Sequence, residues 1–403
     1  MPVARPSDML DWGGIPIEPT TPQKASGFAV SQNVPAEAFN WLLQNIDSWI
    51  KYAVDYIDTT YPAAKALAGA GQVFGVPHPM RTLAAAATMT FASVSAAVNA
   101  TGALQHVVAV GVAGKTLRFD VLTQAIASST WGLATDCNDI AYGNSRYLAC
   151  GATGKVRTST DGSTWSAYFD VGGTSALSSI AFSADRTLFC AVGTDSGGTN
   201  GTTVTGNGVV APTQRALPVV SDVPRRVVWV GGAVQAFYVF TNTAVYASPD
   251  PTTTAFVQVG TYSAFTTVLD ACWHPDIGIF VLGIIGGAQL RYVWSPTGAA
   301  GSWVSQQSGY NATPLAANLL ALPGKLFVFV SYGSTFASVV FPIDTIYNPD
   351  AQPWADSRYV LPARPARAKV LHNSVYVVGM RSATDGSIFV SAPLESIRTY
   401  SRG

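Results

Sequence analysis

Short apolar stretches of strand length alternate with polar turns along most of this chain, and their order repeats. The clearest copy occupies residues 140–165. It reads Ile140-Ala141-Tyr142, a turn, Tyr147-Leu148-Ala149-Cys150-Gly151, a second turn, Val156-Arg157-Thr158-Ser159, then Asp161-Gly162-Ser163-Thr164-Trp165. The same order (apolar strand, turn, apolar strand closing on Gly, turn, strand closing on Ser) returns at 271–303, with Trp273, Gly283, Ser295 and Trp303 in matching places. Residues 228–256 and 370–391 give further copies, and weaker ones cover 107–131, 180–193 and 319–330. A period of about 40–50 residues built from strands predicts propeller blades, because one small sheet has no way to bury its faces alone. About seven units fit in the span 101–403. The predicted class is mainly β: a β-propeller of about seven blades, preceded by an extended arm and an α-helix.

Ahead of the repeats the pattern changes three times. Residues 1–34 are rich in Pro, Gly and Thr without a period and read as an extended arm, punctuated by Trp12 and Ile15-Pro16-Ile17. Residues 35–61 read as a helix: Pro35 suits a first helical position and Glu37 the first turn. Phe39, Leu42, Ile46, Trp49, Ala53 and Tyr56 then fall at alternating steps of three and four, an a/d seam. Leu43, Ile50, Val54 and Ile57 widen the stripe. So much apolar surface on one helix needs a partner, which predicts oligomerisation through identical helices or docking on a host structure; folding back onto its own β domain is the alternative. Residues 62–100 are Ala-rich with interrupting Gly and Pro and read as a neck, although 88–98 alternates like a strand, and the alternative is that it begins the first blade or closes the ring against the C-terminal strand. Within the repeats, the Gly/Thr/Asn-rich stretch 193–208 reads as a protruding loop.

Composition narrows the function classes. Of 403 residues 48% are hydrophobic and only 11% charged, and the net charge is zero, so nothing draws the chain to phosphate backbones or anionic lipid. Nucleic acid is not an expected partner, and no apolar run reaches membrane-spanning length. The first residues lack the charged and apolar regions of a signal peptide, which predicts synthesis in a cytoplasm without export. Cys137, Cys150, Cys190 and Cys272 have no Cys-x-x-Cys spacing and read as reduced core thiols.

Two resemblances add to this reading. Pro35-Ala36-Glu37-Ala38-Phe39-Asn40-Trp41-Leu42-Leu43 with Ile46-Asp47-Ser48-Trp49-Ile50-Lys51-Tyr52, led in by Gly27-Phe28, resembles the N-terminal module of tailed-bacteriophage tail fibre and tail appendage proteins. The resemblance covers about the first 60 residues. It implies a homo-oligomer, with a trimer favoured, attached through its arm to other tail or portal-proximal proteins of the virion. Ser159-Thr160-Asp161-Gly162-Ser163-Thr164-Trp165 resembles an Asp-box, the hairpin motif of sialidase-type propellers, with worn copies at Ser248-Pro249-Asp250 and Ser295-Pro296-Thr297. That resemblance gives Ser159, Asp161, Gly162 and Trp165 a structural role: Asp161 accepts backbone N–H bonds, Gly162 takes a left-handed conformation and Trp165 packs between blades. Thr384-Asp385-Gly386 has the turn without the tryptophan.

Catalytic patterns are sparse. The only glutamates are Glu18, Glu37 and Glu395, and the Arg-Ile-Pro of sialidases is absent. Most aspartates sit in turn contexts; a pair such as Asp222 and Asp270 has the placement to converge at the ring centre, but so do any two blade loops. There is no Gly-x-Ser-x-Gly elbow; His78, His106, His274 and His372 are scattered, and no metal-ligand or phosphate-loop spacing occurs. No catalytic residue, metal or cofactor is therefore assigned. Recognition remains: Tyr262, Tyr310, Asn311, Tyr332 and Trp354 are candidates for exposed contact with a host-surface glycan or protein, with interblade core as the alternative reading of each aromatic. The expectation is a structural virion protein of the tail whose propeller binds the host surface. The alternatives are a glycan hydrolase on the same scaffold and a purely structural collar, tail-tip or head-decoration part.

Overall fold

A computed structural model describes residues 81–391, apart from short internal stretches, chiefly 171–175, 308–313, 333–337 and 344–358. The arm 1–34, the helix 35–61 with its seam from Phe39 to Tyr56, and the neck as far as residue 80 lie outside the described residues.

The described strands form seven four-stranded antiparallel sheets. The first strand of each is innermost: Phe91–Val98, Cys137–Gly143, Leu177–Ser183, Arg226–Val230, Thr267–His274, Pro314–Leu322 and Arg364–Leu371. Each of these lies beside the next, and Arg364–Leu371 lies beside Phe91–Val98, so the inner strands close a ring. The chain is a β-propeller. Its last sheet takes its outermost strand, Arg81–Ala87, from ahead of the first sheet; Arg81 stands opposite Val390 and Ala87 opposite Asp385. Both ends of the described chain thereby lock one sheet.

Packing explains why the repeats need one another. Seven buried apolar clusters each draw on two adjacent sheets, as where Leu148 and Val156 of the second meet Phe189 and Val204 of the third. Second strands such as Ala236–Phe240, buried at every position, have a neighbour on both faces and so carry no polar alternation.

Two boundaries differ from the sequence reading. The sheets begin at Arg81, not at 101: Phe91–Val98 opens the first sheet, in line with the strand-like alternation of 88–98, and Arg81–Ala87 completes the last one. Alanine is a poor strand former and so reads as linker, yet the small side chains of this stretch fit against the last sheet, with Ala84 in the core. The stretch 193–208 is not a protruding loop. It holds the strand Gly201–Gly206, buried throughout, joined to Leu188–Thr194 by a turn in which Asp195 accepts N–H bonds from Gly197, Thr199 and Asn200. Thr202 and Thr203 satisfy their buried hydroxyls on the Arg215 carbonyl, so a polar composition lines a core strand.

Candidate functional site

The Gly that closes so many second strands has a common cause. Gly111, Gly151, Gly193 and Gly379 stand opposite Phe91, Cys137, Leu177 and Pro365, and directly after each of these partners the ladder slips by one residue. A Cβ at Gly111, Gly151, Gly193 or Gly379 would lie 1.9–2.3 Å from the carbonyl oxygen of the residue just before that partner. The glycine makes room for a bulge, and the bulge turns the next side chain toward the ring axis. Val268 to Asp270 repeats the slip opposite Gly283. The residues so aimed are Ser93, Asp139, Ser179, Asp270 and Arg367, and all five are buried.

They form one network across the ring. Asp139 accepts N–H bonds from Ile140 at 2.9 Å and from Ile180 of the next sheet at 3.0 Å. Ser93 and Ser179 donate their hydroxyls to the same carboxylate at 2.5 and 3.1 Å. Asp270 repeats the scheme, taking N–H bonds from Ala271 and from Leu319 of its next sheet, both at 2.9 Å. Arg367 bridges the two carboxylates, pairing closely with Asp270 and lying 3.4 Å from Asp139. Lys369 reaches Asp139 at 3.1 Å and the Ile140 carbonyl at 2.7 Å. Arg226 Nε lies 3.3 Å from Asp270 without an aligned hydrogen bond, so this is an ion contact only.

Burial opposes the charge of Asp139, but Lys369, Arg367 and the donated hydrogen bonds outweigh it and hold the carboxyl far below the ordinary range. Burial and the neighbouring Arg367 lower Lys369, with Asp139 acting against them. Counted among these groups, three cations (Arg226, Arg367, Lys369) face two anions (Asp139, Asp270), leaving one positive charge in excess.

This floor opens into a cavity of about 420 Å³ lined by all seven inner strands, from the level of Asp270, Arg367 and Lys369 to the strands' carboxyl ends. Its mouth is lopsided. Tyr142, Phe182, Trp229 and Trp273, on four consecutive sheets, are half-buried along one side. Ala321 and Leu371 line the other. The aromatics are held in place: Phe182 covers Gly143, Trp273 lies over Gly231, and Trp229 donates its indole N–H to Asp185 at 3.3 Å. Trp229 also meets Phe237 edge-on at 4.8 Å.

The residues singled out from sequence fall elsewhere. Ser159, Asp161, Gly162 and Trp165 lie at the turn between the third and fourth strands of the second sheet. Asp161 accepts N–H bonds from Ser163 at 2.8 Å and Thr164 at 2.7 Å, and Ser159 Oγ donates to it at 2.9 Å while accepting from Gly162 N–H at 2.8 Å. Burial pushes the Asp161 carboxyl up, but those N–H donors and the Ser159 hydroxyl bring it down to about 2. Gly162 has φ +74°, and a Cβ there would lie 2.4 Å from Val108 of the first sheet. Trp165 packs with Val108, Val110 and Tyr147 in the cluster between the first two sheets. Phe256 and Trp303 occupy the matching place, directly ahead of the strands Val257–Thr261 and Val304–Gln307. Asp385-Gly386 does not belong to this series, because it opens a third strand rather than following one.

Asp270 does reach the ring centre, but Asp222 does not: it accepts hydroxyl bonds from Thr243 and Tyr246. The partner that Asp270 acquires is Asp139. A repeated polar residue two places after an apolar one, matched to the Gly-terminated second strand, was the available signal. Tyr262 is not an exposed contact residue either; its ring packs at 5.1 Å on Phe265 between sheets and its hydroxyl donates to the Thr241 carbonyl. Tyr310, Asn311 and Trp354 lie outside the described residues, and Tyr332 ends the strand Lys325–Tyr332. All four cysteines are free thiols, with Cys190 pushed up to about 12 by burial.

No family model matches the chain, and no curated protein matches it in sequence. Its fold is similar to that of selenomethionine-substituted virginiamycin B lyase from Staphylococcus aureus, with a TM-score of 0.54 at 12% identity over 76% of this chain and 98% of that one. It also overlaps YCF48 bound to D1 peptide, with a TM-score of 0.49 at 13% identity over 78% and 96% of the respective chains. At such identities the likeness to the lyase speaks for the propeller fold alone.

Proposed function

We propose that this chain is a tail fibre or tail appendage subunit of a bacteriophage virion, held through its N-terminal region as a homo-oligomer, with an Asp-box type propeller that recognises the host surface rather than cutting it. The phage assignment rests on the resemblance of residues 35–52, and the oligomer on the seam Phe39, Leu42, Ile46, Trp49, Ala53 and Tyr56. The observation that carries recognition over catalysis is the state of the funnel's carboxylates. Asp139 and Asp270 each accept two backbone N–H bonds and lie against cations, so neither is free to shuttle a proton or attack a substrate. The mouth above them offers aromatic faces of the kind that bind.

The test is competition. Purified full-length chain added to host cells should reduce adsorption of particles carrying it in a dose-dependent way, and antibody against it should label the tail. Labelling of the tail without competition would reduce the role to a structural part. Release of reducing ends from host polysaccharide by the purified chain would overturn the non-catalytic reading.

A further inference from the structure

The funnel has features that together specify a ligand class. Its floor carries one uncompensated positive charge among the described residues, from Arg226, Arg367 and Lys369 set against Asp139 and Asp270. An unmatched charge in a low-dielectric site is costly, and a bound anion relieves it. Of these cations, Arg367 and Lys369 line the cavity. Lys369 spends two of its three donors, on Asp139 and on the Ile140 carbonyl, so one remains. Arg367 likewise spends only part of its five-donor fork on the two aspartates.

A monoanion neutralises an excess of one; a phosphate dianion would reverse it. The planar carboxylate also suits a guanidinium fork. Above the floor the aromatics line one side only, and Ala321 and Leu371 face them across the cavity. A one-sided wall suits a ring that has one apolar face and hydroxyls elsewhere, whereas a flat aromatic ligand is better held between two walls. The volume of about 420 Å³ accommodates one or two pyranose rings, at the lower end of ordinary ligand pockets.

We propose that the funnel binds a carboxylate-bearing sugar unit, its acid group on Arg367 and Lys369 and its ring against Trp229 and Trp273. The choice of a sugar rests on the host-surface reading above; the anion site does not.

Titration calorimetry of the full chain with glucuronate, glucose, glucose 6-phosphate and benzoate tests it. Glucuronate is expected to bind at least about tenfold more tightly than glucose. Raising salt should weaken glucuronate and leave glucose unchanged. Trp273→Ala should weaken glucuronate about fivefold or more, and Lys369→Met should abolish the preference over glucose. If Lys369→Met does not fold, the salt dependence and Trp273→Ala still decide. Equal binding of glucuronate and glucose, or no binding of any probe at millimolar concentrations, overturns the anion site. Benzoate binding without glucuronate, or tighter binding of glucose 6-phosphate, overturns the sugar carboxylate. Should glucuronate bind while the chain fails to compete for host cells, the ligand class stands and the host-surface role falls.

Discussion

Asp139 and Asp161 belong to the same sheet and are both held ionised, but by different means. Asp161, at the rim, is served by N–H groups no more than three residues away. Asp139, at the ring axis, is served by Ser93, Ile180, Arg367 and Lys369, which come from three other sheets and lie as far as 230 residues away along the chain. The rim aspartate shapes its own turn. The axial one ties sheets together, and it gathers charged groups around a cavity. The two regions should therefore fail differently when disturbed.

The largest effect is expected at the axis. Asp139→Ala leaves the buried Arg367 and the half-buried Lys369 short of counter-charge, which should cost about 3 kcal/mol in urea unfolding. A loss below about 1 kcal/mol would mean that water or an ion already screens the floor. Next comes Gly162→Ala at the rim. The new Cβ would meet Val108 at 2.4 Å from a left-handed backbone, so a loss of about 2 kcal/mol is expected. The same change at Gly286, where a Cβ meets nothing within 4 Å, is the control.

Asp161→Ala should cost less, about 1 kcal/mol, because the freed N–H groups of Ser163 and Thr164 lie close enough to solvent to be rehydrated. Its pH dependence follows from its folded pKa of about 2, below the unfolded value near 3.8. The contribution is complete above the unfolded pKa and disappears as pH falls from about 4 through 2, so wild type and variant should converge in stability at the acid end. A constant difference across that range would assign the effect to packing.

The contrast between the two aspartates also explains what the sequence shows and what it hides. The propeller was legible because local chemistry recurs from sheet to sheet: a Gly opposite a bulge in five of them, and a Ser closing the third strand with an aromatic ahead of the fourth in the second, fourth and fifth. The turn follows from neighbours within one sheet, as Ser159 and Gly162 illustrate, and Trp165 then packs on the adjacent sheet. The funnel was not legible in the same way. Asp139, Asp270 and Arg367 become one site only after the ring closes, and closure depends on Arg81–Ala87, whose alanines resemble a linker. Tyr262 shows the same limit: its interblade packing and an exposed contact role fit its polar loop context equally, and only the neighbouring sheet decides for the former.

The smallest effect tests which part of the rim turn matters. In the fifth sheet, Gly298 N–H donates to Ser295 Oγ at 2.7 Å, as Gly162 does to Ser159, and Gly298 has φ +72°. The acceptor differs: Thr297 Oγ1 takes the Ala299 N–H at 3.3 Å, where Asp161 takes two N–H groups below 3 Å. The turn is also two residues longer to Trp303, and Ser302 Oγ bonds Ser295 Oγ and the Ala299 carbonyl. The serine and the left-handed glycine thus recur without a carboxylate, which adds bonds where it is present. Thr297→Asp should then stabilise the chain by about 0.5 kcal/mol at pH 7, since the site is exposed and the added bonds replace water. The gain should vanish near pH 3 as the carboxyl protonates. Asp161→Thr should conversely cost less than Asp161→Ala. A stabilisation that persists in acid, or a Thr297→Asp variant weaker than wild type at neutral pH, would show that Pro296 fixes the fifth turn in a form no carboxylate can improve.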